Sequence, residues 1–225
     1  MSNELVLITV GVIFLVIGAF IFIRITSTLK KQKSNLEQLV AIRTVELEAA
    51  NAQLEMLVRH DALTGVTNRR GFDEKFEEEW RRASRYGAFV SILMIDVDYF
   101  KNYNDNLGHQ EGDRALKAIA SSLSKLFQRA GEIVARYGGE EFVILMPGVS
   151  HGETAEAAER ARFQIEDLKL AHPSSDVSKV VTVSIGYAVG FPGEMKSAKD
   201  LIASADKALY KAKNNGRNRI EKSTS

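Results

Sequence analysis

The apolar run at residues 5–23 constrains the chain most, because it contains no charged side chain. As a helix, a run of this length spans about 30 Å, the thickness of the hydrocarbon core of a bilayer. A cleaved signal peptide would combine a basic start, a shorter apolar stretch and a small-residue cleavage site. The start MSNE contains a glutamate, so the pattern favours an uncleaved transmembrane helix over residues 5–24, with residues 1–4 as a short extracytoplasmic tail.

Basic residues follow this run closely, at Arg24, Lys30, Lys31 and Lys33. Because the cytoplasmic flanks of transmembrane helices carry an excess of lysine and arginine, we expect everything after the helix to be cytoplasmic. The predicted location is therefore the inner (cytoplasmic) membrane, crossed once. The tail at 1–4 is too short for an extracytoplasmic sensor domain.

The next segment, residues 25–60, lacks proline and glycine, as expected for a long helix. In a heptad reading, two positions three residues apart are mostly apolar: Val40, Leu47 and Leu54 at one, and Leu36, Arg43, Ala50 and Leu57 at the other. A solvated linker helix and a parallel coiled-coil stalk both fit this short pattern. The stalk is favoured because membrane anchoring raises the local concentration of chains. A cytoplasmic regulatory protein could bind such a stalk.

The composition excludes several classes of function. The formal net charge is only +1, so no strong field favours a nucleic-acid polymer as partner. The chain has no cysteine, which excludes disulfides and thiolate metal sites.

From residue 61 onward, helix-like and strand-like segments alternate. Amphipathic stretches predict helices at 71–86, 112–127, 154–170 and 198–216, and apolar stretches predict strands at 89–97, 132–137, 141–146 and 180–189. The alternation around one hairpin predicts an α/β (α+β) fold, with helices packed on the faces of a sheet.

The hairpin carries two glycines and two glutamates. Gly138 and Gly139 favour a two-residue type I′ turn, because both central positions of that turn need positive φ. Glu140 and Glu141 follow, and consecutive strand residues point to opposite faces. We therefore expect the two carboxylates to lie in different environments.

A second acidic pair, Asp96 and Asp98, ends the apolar strand at 89–97. Carboxylates at a strand end and at a hairpin tip can together hold a hard divalent cation such as Mg²⁺, which often takes further oxygens from a substrate phosphate. Lys101, Lys213 and Arg217 are cations suited to phosphate. The residues alone indicate metal-dependent chemistry on a phosphorylated substrate, although solvated acids and lysines that complement helix dipoles give the same pattern.

Five motifs occur in a characteristic order: DALTGVTNRRGF at 61–72, DVDYFKNYNDNLGHQEGD at 96–113, RYGGEEF at 136–142, VTVSIGYA at 181–188 and ADKALYKAKNNGRN at 205–218. Together they closely resemble the diguanylate cyclase family, the GGDEF domains, in its GGEEF form. The resemblance covers residues 61–221 and leaves 222–225 as a tail. It implies a nucleotide-cyclase or polymerase-palm-like domain, with a central sheet of about five strands wrapped by helices. It also implies that a homodimer, with one GTP half-site per protomer, condenses two GTP into cyclic di-GMP and two pyrophosphates.

The resemblance assigns the metal site. It implies that Asp96 and Glu140 ligate Mg²⁺ (or Mn²⁺), with the backbone carbonyl of Val97 assisting. Glu141 matches the second acidic position of the signature, which is catalytic in the family but leaves the identity of the general base open.

The resemblance also assigns the GTP contacts. Phe100 and Lys101 match positions near the β- and γ-phosphates, and Lys213 and Arg217 match the pair that clamps the triphosphate. Asn104 and Asp113 match the guanine readers. A carboxylate can accept from both N1–H and the exocyclic amine of guanine, whereas adenine presents an acceptor at N1. Without the motif, Asp113 would read as a residue that favours the start of a helix.

One departure concerns the product-inhibition site. Many relatives carry an Arg-x-x-Asp pair before the signature, where the cyclic product binds and inhibits. Here the pair is Arg129 and Glu132, and the longer glutamate disturbs a bidentate arrangement. We expect product inhibition to be weakened or absent.

Other polar residues are expected to be structural. Asp98 is expected to support the site indirectly or to be solvated, and His109 to act as a hydrogen-bonding strut. Asp61, Asn68 and Arg70 are expected to fix the join between stalk and domain.

Two further function classes remain open: a catalytically inactive domain that senses GTP or cyclic di-GMP, and a scaffold whose stalk recruits a partner. Retention of Asp96, Glu140, Lys213 and Arg217 favours the enzyme over the sensor.

Overall fold

The structure is a computed structural model that describes residues 3–195 and 197–224. It divides into two compact units, Met1–Glu55 and Met56–Ser225, each described here by itself.

Helix α1 spans Asn3–Arg59 and accounts for the described residues of the first unit. Within the described residues, one stretch of this helix, inside Gly11–Glu48, is long and apolar enough to cross a membrane by length and composition. Its large side chains, such as Phe14 and Leu15, are exposed. The predicted seam positions Ala50, Leu54 and Leu57 lie outside the residues whose side chains are described.

The second unit is built on a sheet that has six strands in the described part of the chain, in the order β1-β3-β4-β2-β5-β6. The strands are β1 Thr67–Asn68, β2 Val90–Val97, β3 Ile133–Gly138, β4 Glu141–Pro147, β5 Val183–Gly190 and β6 Ile220–Lys222. The helices of this unit are α2 Arg69–Tyr86, α3 Phe100–Leu107, α4 His109–Leu126, α5 His151–Glu166 and α6 Ala198–Asn214. The central strand β2 pairs antiparallel with β4 and β5 and is buried along its whole length.

The two faces of the sheet carry separate apolar cores, because alternate strand residues point to opposite sides. On β2, Leu93 and Ile95 face the core shared with helices α3, α4 and α5. Ile92 and Met94 face the core shared with α2 and α6. Asp96 continues this second series, so β2 delivers its carboxylate to the α2–α6 face at the end of the strand.

The predicted α/β class is confirmed, and the long elements lie close to their predicted positions. The short elements β1, β6 and α3 were not predicted. Strands of two or three residues show no periodicity, and among the residues of α3 only Phe100 and Tyr103 are buried. Such short elements depend on the neighbours they contact more than on their own sequence.

Candidate active site

Asp96 is the buried centre of the site, with only 8% of its surface exposed. Its partners across the sheet are Glu141 on β4 and Ser184 on β5. Directly opposed residues of antiparallel strands project from the same face. Glu141 therefore shares the face of Asp96, although it was expected in a different environment from Glu140, the residue assigned to the metal together with Asp96.

The hairpin tip explains this register. Strand β3 ends at Gly138 and β4 begins at Glu141, so the two turn residues are Gly139 and Glu140. The register shifts between Arg136 and Gly138, and Nε of Arg136 donates to the carbonyl of Gly139 at 2.8 Å.

The prediction of a type I′ turn at Gly138 and Gly139 is wrong. Gly139 has φ of +52°, but Gly138 and Glu140 are not among the described residues with positive φ. The turn therefore lies one residue later than predicted, and Glu140 lies in it, partly buried and close enough for its charge to act on Asp96.

The electrostatics of Asp96 favour a bound cation. Burial raises the pKa of Asp96 to about 6, although Lys213 donates to it and carries a compensating charge. Nζ of Lys213 lies 2.7 Å from Oδ2 of Asp96. The charges of Glu140 and Glu141 raise the same pKa further. Three carboxylates thus interact with one another here, and Asp96 among them pairs with Lys213.

This donor set fits a hard divalent cation, because Mg²⁺ and Mn²⁺ take carboxylate, carbonyl and water oxygens. Asp96 and Glu140, with the Val97 carbonyl, are the residues that would hold it. Among the described residues, no group of three or more acidic or imidazole side chains is arranged as a complete metal site. A metal here would complete its coordination with substrate phosphate or water oxygens.

A second part of the site lies between α3 and α4. Oδ1 of Asn104 is buried and has no hydrogen-bond partner among the described residues. Gly112 lies directly against it, since a Cβ at that position would be 1.9 Å from Oδ1. A buried acceptor without a partner is costly. Oδ1 of Asn104 is thus left without a donor, and the residue after Gly112, Asp113, is exposed on α4.

The turn between β2 and α3 contains the residues predicted to contact phosphate. Phe100 is buried and stacks on Tyr103, so its side chain belongs to the core and only its backbone could reach a ligand. Lys101 is exposed in the first turn of α3. N–H groups at the start of a helix favour anions.

Lys213 and Arg217 approach this turn from the end of α6. Lys213 reaches Asp96, whereas the guanidinium of Arg217 lies over the ring of Tyr99, 4.3 Å from its centroid. The structure therefore brings together both cations, the three carboxylates and the start of α3, as the sequence predicted for a triphosphate site.

Asp98 is a buried anchor, so of its two expected roles, indirect support of the site and solvation, solvation is excluded. Its carboxylate accepts from Oγ1 of Thr182 at 2.8 Å, from Oγ of Ser184 at 2.6 Å and from the N–H of Asn218 at 3.0 Å. Sequence analysis did not single out these three partners. The hydroxyls at alternate positions of the apolar strand at 180–189 were the available signal.

Arg129 and Glu132 lie in the loop between α4 and β3, away from Asp96 along the strands. Oε2 of Glu132 accepts from the backbone N–H of Arg129 at 2.9 Å. Both residues line a cavity of about 120 Å³ together with Arg160. The carboxylate of Glu132, the residue that departs from the Arg-x-x-Asp pattern, thus binds within its own loop.

The residues expected at the join make contacts within the second unit. Asn68 caps α2 by accepting from the N–H of Gly71 at 2.9 Å, and its amide donates to the carbonyl of Val58 at 2.9 Å. Arg70 pairs with Glu74 on the surface.

Comparison with known proteins identifies the class that this fold and site define. The family described as "Diguanylate cyclase, GGDEF domain" matches residues 58–219. The chain belongs to this family, as its motifs predicted.

Individual relatives agree. The chain is 41% identical over 162 residues to diguanylate cyclase DosC of Escherichia coli (strain K12), covering 72% of this chain and 34% of the relative. It is similar to the coiled coil and GGDEF domain of DgcB from Caulobacter crescentus in complex with c-di-GMP, with a TM-score of 0.71, 33% identity and coverage of 83% and 98% of the two chains. The diguanylate cyclase SiaD of Pseudomonas aeruginosa, solved with its activator SiaC, aligns with a TM-score of 0.66 at 28% identity, covering 98% of this chain and 83% of that one. The chain spans half or less of the length of the first curated relatives it matches.

Proposed function

We propose that the chain is a diguanylate cyclase that condenses two GTP into cyclic di-GMP and releases two pyrophosphates. The observation that carries this proposal is the buried Asp96, which faces Glu141 in register and binds Lys213 at 2.7 Å. Membership of the diguanylate cyclase family supports the same reaction.

Separate groups of residues bind the guanine base and the triphosphate. Asn104 and Asp113 bind guanine, and the buried Oδ1 of Asn104, which has no hydrogen-bond partner among the described residues, supports this role. Lys213, Arg217, Lys101 and the N–H of Phe100 bind the triphosphate, held between α3 and the end of α6.

Asp96, Glu140 and the Val97 carbonyl would hold Mg²⁺ or Mn²⁺, which when bound neutralises phosphate charge and favours in-line displacement. Glu141 lies beside Asp96 on the reacting face, and we leave the proton acceptor for the attacking 3′-hydroxyl unassigned.

Condensation of two GTP requires two half-sites that face each other, so the active form is a homodimer. The heptad pattern of residues 25–60 supports a parallel stalk, and the DgcB structure contains a coiled coil next to its GGDEF domain. A stalk of this kind would set whether the two half-sites meet.

The apolar stretch of α1 supports a single-pass anchor in the inner membrane, with the catalytic domain in the cytoplasm. SiaD was solved with an activator protein, which supports a cytoplasmic regulatory partner for this chain as well. The structure of DgcB with c-di-GMP supports product binding, which we expect Glu132 to weaken here.

The decisive experiment incubates the full chain, in lipid nanodiscs, with GTP and Mg²⁺ and measures cyclic di-GMP by chromatography. We expect product from the wild type and a loss of at least about 100-fold in rate for Asp96→Asn and Glu140→Gln. Asp167→Asn, at an exposed position after α5, is the matched control and should retain the wild-type rate. A dimeric wild type that binds GTP but forms no product would favour the sensor instead.

A further inference from the structure

The contact between Tyr99 and Arg217 has no role in the reaction as derived above. We propose that Tyr99 is a positioning residue, which holds the guanidinium of Arg217 ready for the triphosphate. This inference rests on the proposed use of GTP and concerns how tightly the triphosphate is bound.

Two interactions define the contact. The guanidinium carbon of Arg217 lies 4.3 Å from the centroid of the Tyr99 ring, a cation–π distance. Nη1 of Arg217 also donates to the hydroxyl of Tyr99 at 3.2 Å. A guanidinium has five N–H donors, so this bond leaves donors for phosphate.

The backbone of Arg217 is fixed in an unusual conformation. Arg217 and Asn218 both have positive φ, at +61° and +43°. The N–H of Asn218 donates to the buried Asp98, while its side chain donates to Glu166 and accepts from Arg162. Strained backbone persists where neighbouring contacts determine it. Here those contacts hold Arg217 next to Tyr99.

The backbone of Tyr99 is fixed in the same way. Its φ is +55°, and its carbonyl accepts from the N–H of Tyr103 at 3.0 Å. Nε2 of the buried His172 lies 3.2 Å from the same carbonyl oxygen, which can only accept. The ring of Tyr103 packs edge-on against His172. Both partners of the Tyr99–Arg217 contact are therefore held by residues outside it.

The physical consequence is preorganisation. A free arginine side chain loses rotamer entropy whenever it binds phosphate, whereas one already held in place loses less. The gain applies to ligands that carry a triphosphate, since that is the group assigned to Lys213 and Arg217. It should leave the affinity for GMP, which has a single phosphate, unchanged.

The test compares two ligands on the full chain in nanodiscs by calorimetry with Mg²⁺. One is the GTP analogue with a methylene group between the α- and β-phosphates, which cannot release pyrophosphate, and the other is GMP. Tyr99→Leu removes the ring and the hydroxyl, and we expect it to weaken analogue binding about tenfold. Tyr99→Phe keeps the ring and should weaken it about threefold. Neither variant should change the affinity for GMP.

Tyr210→Leu is the matched control, because Tyr210 is exposed on α6. Equal weakening for both ligands would show a merely structural role, and unchanged or tighter analogue binding would overturn the proposal. If Tyr99→Leu does not fold, Tyr99→Phe tests the proposal by the same comparison of the affinities for the analogue and for GMP. A wild type that binds the analogue and yet makes no cyclic di-GMP from GTP would refute the proposed function without affecting this comparison.

Discussion

Arg136 and Asp61 form an ion pair between positions 75 residues apart in the chain, with Nη1 3.1 Å from Oδ1 and 3.2 Å from Oδ2. The pair is half-buried, with 17% and 22% of the two side chains exposed. Arg136 also donates to the carbonyl of Gly139, at the hairpin tip. Asp61 accepts from the N–H and hydroxyl of Thr64. The turn after α1 is thus connected directly to the hairpin that carries Glu140.

We expect Asp61→Asn to lower the free energy of unfolding of the domain by about 1–3 kcal/mol, because it leaves a half-buried guanidinium without its charged partner. The fluorescence of Trp80, the single tryptophan, reports unfolding of this unit in urea. Lys75→Gln breaks an exposed pair with Glu78 and is the control, expected to cost less than about 1 kcal/mol. Equal costs for the two variants would contradict a special role for Asp61.

The same pair predicts a pH dependence of stability. Burial acts to raise the pKa of Asp61, but hydrogen bonds from Thr64 and the contact with Arg136 outweigh it and lower the pKa below 3.8. A carboxyl whose pKa is lowered on folding stabilises the fold above its ordinary pKa and loses that contribution as the pH falls through the folded value. The stability gap between wild type and Asp61→Asn should therefore be constant from pH 7 to about 5 and shrink below 3.8. A gap that stays constant in acid would contradict this assignment.

The sequence predicted the long elements because burial imposes a period of 3.6 on the helices and makes the central strands almost wholly apolar. It also predicted the residues that meet at the end of β2, since each belongs to a recognisable motif. It did not predict that Glu140 lies in the turn, where the alternation of strand faces does not apply. For this reason Glu141, which lies opposite Asp96, was expected in a different environment from Glu140.

The partners of Asp98 could not be predicted for a different reason. Thr182 and Ser184 lie 84 and 86 positions away, and only the pairing of β2 with β5 brings them to the carboxylate. The two hydroxyls stand out in the apolar strand, but nothing in the local pattern shows which carboxylate they contact. Tyr99 and Arg217 are also distant in the chain, and they meet because α6 packs against β2.

Guanine selectivity should depend on Asp113. In Asp113→Asn, the amide cannot accept from both N1–H and the exocyclic amine as a carboxylate does, so we expect the KM for GTP to rise about 10- to 100-fold. Discrimination against ATP should fall, as measured by kcat/KM for the two nucleotides. Asp105→Asn, an exposed aspartate on α3, is the control and should change neither value. Unchanged discrimination in Asp113→Asn would refute its assignment as a base reader.

Gly112 should be needed for the same pocket. A Cβ at Gly112 would lie 1.9 Å from Oδ1 of Asn104, so Gly112→Ala must displace the amide that we propose binds the base. We expect the KM for GTP to rise about tenfold or more, with kcat less affected. Gly152→Ala on α5 is the matched control, because nothing lies within 4 Å of a Cβ there. If both alanine variants gave the same KM, Asn104 would not contact the base.

Product inhibition should respond to the length of one side chain. The carboxylate of Glu132 is bound to the N–H of Arg129 at 2.9 Å, which turns it back onto its own loop. Glu132→Asp restores the Arg-x-x-Asp pattern, and we expect it to lower the concentration of cyclic di-GMP that halves the initial rate by about tenfold or more. Adding Arg129→Ala to this variant should abolish the gain, and Glu194→Asp, at an exposed position, should leave inhibition unchanged. Strong inhibition of the wild type, relieved by Arg129→Ala alone, would show that Glu132 already serves the site and that the predicted weakening is wrong.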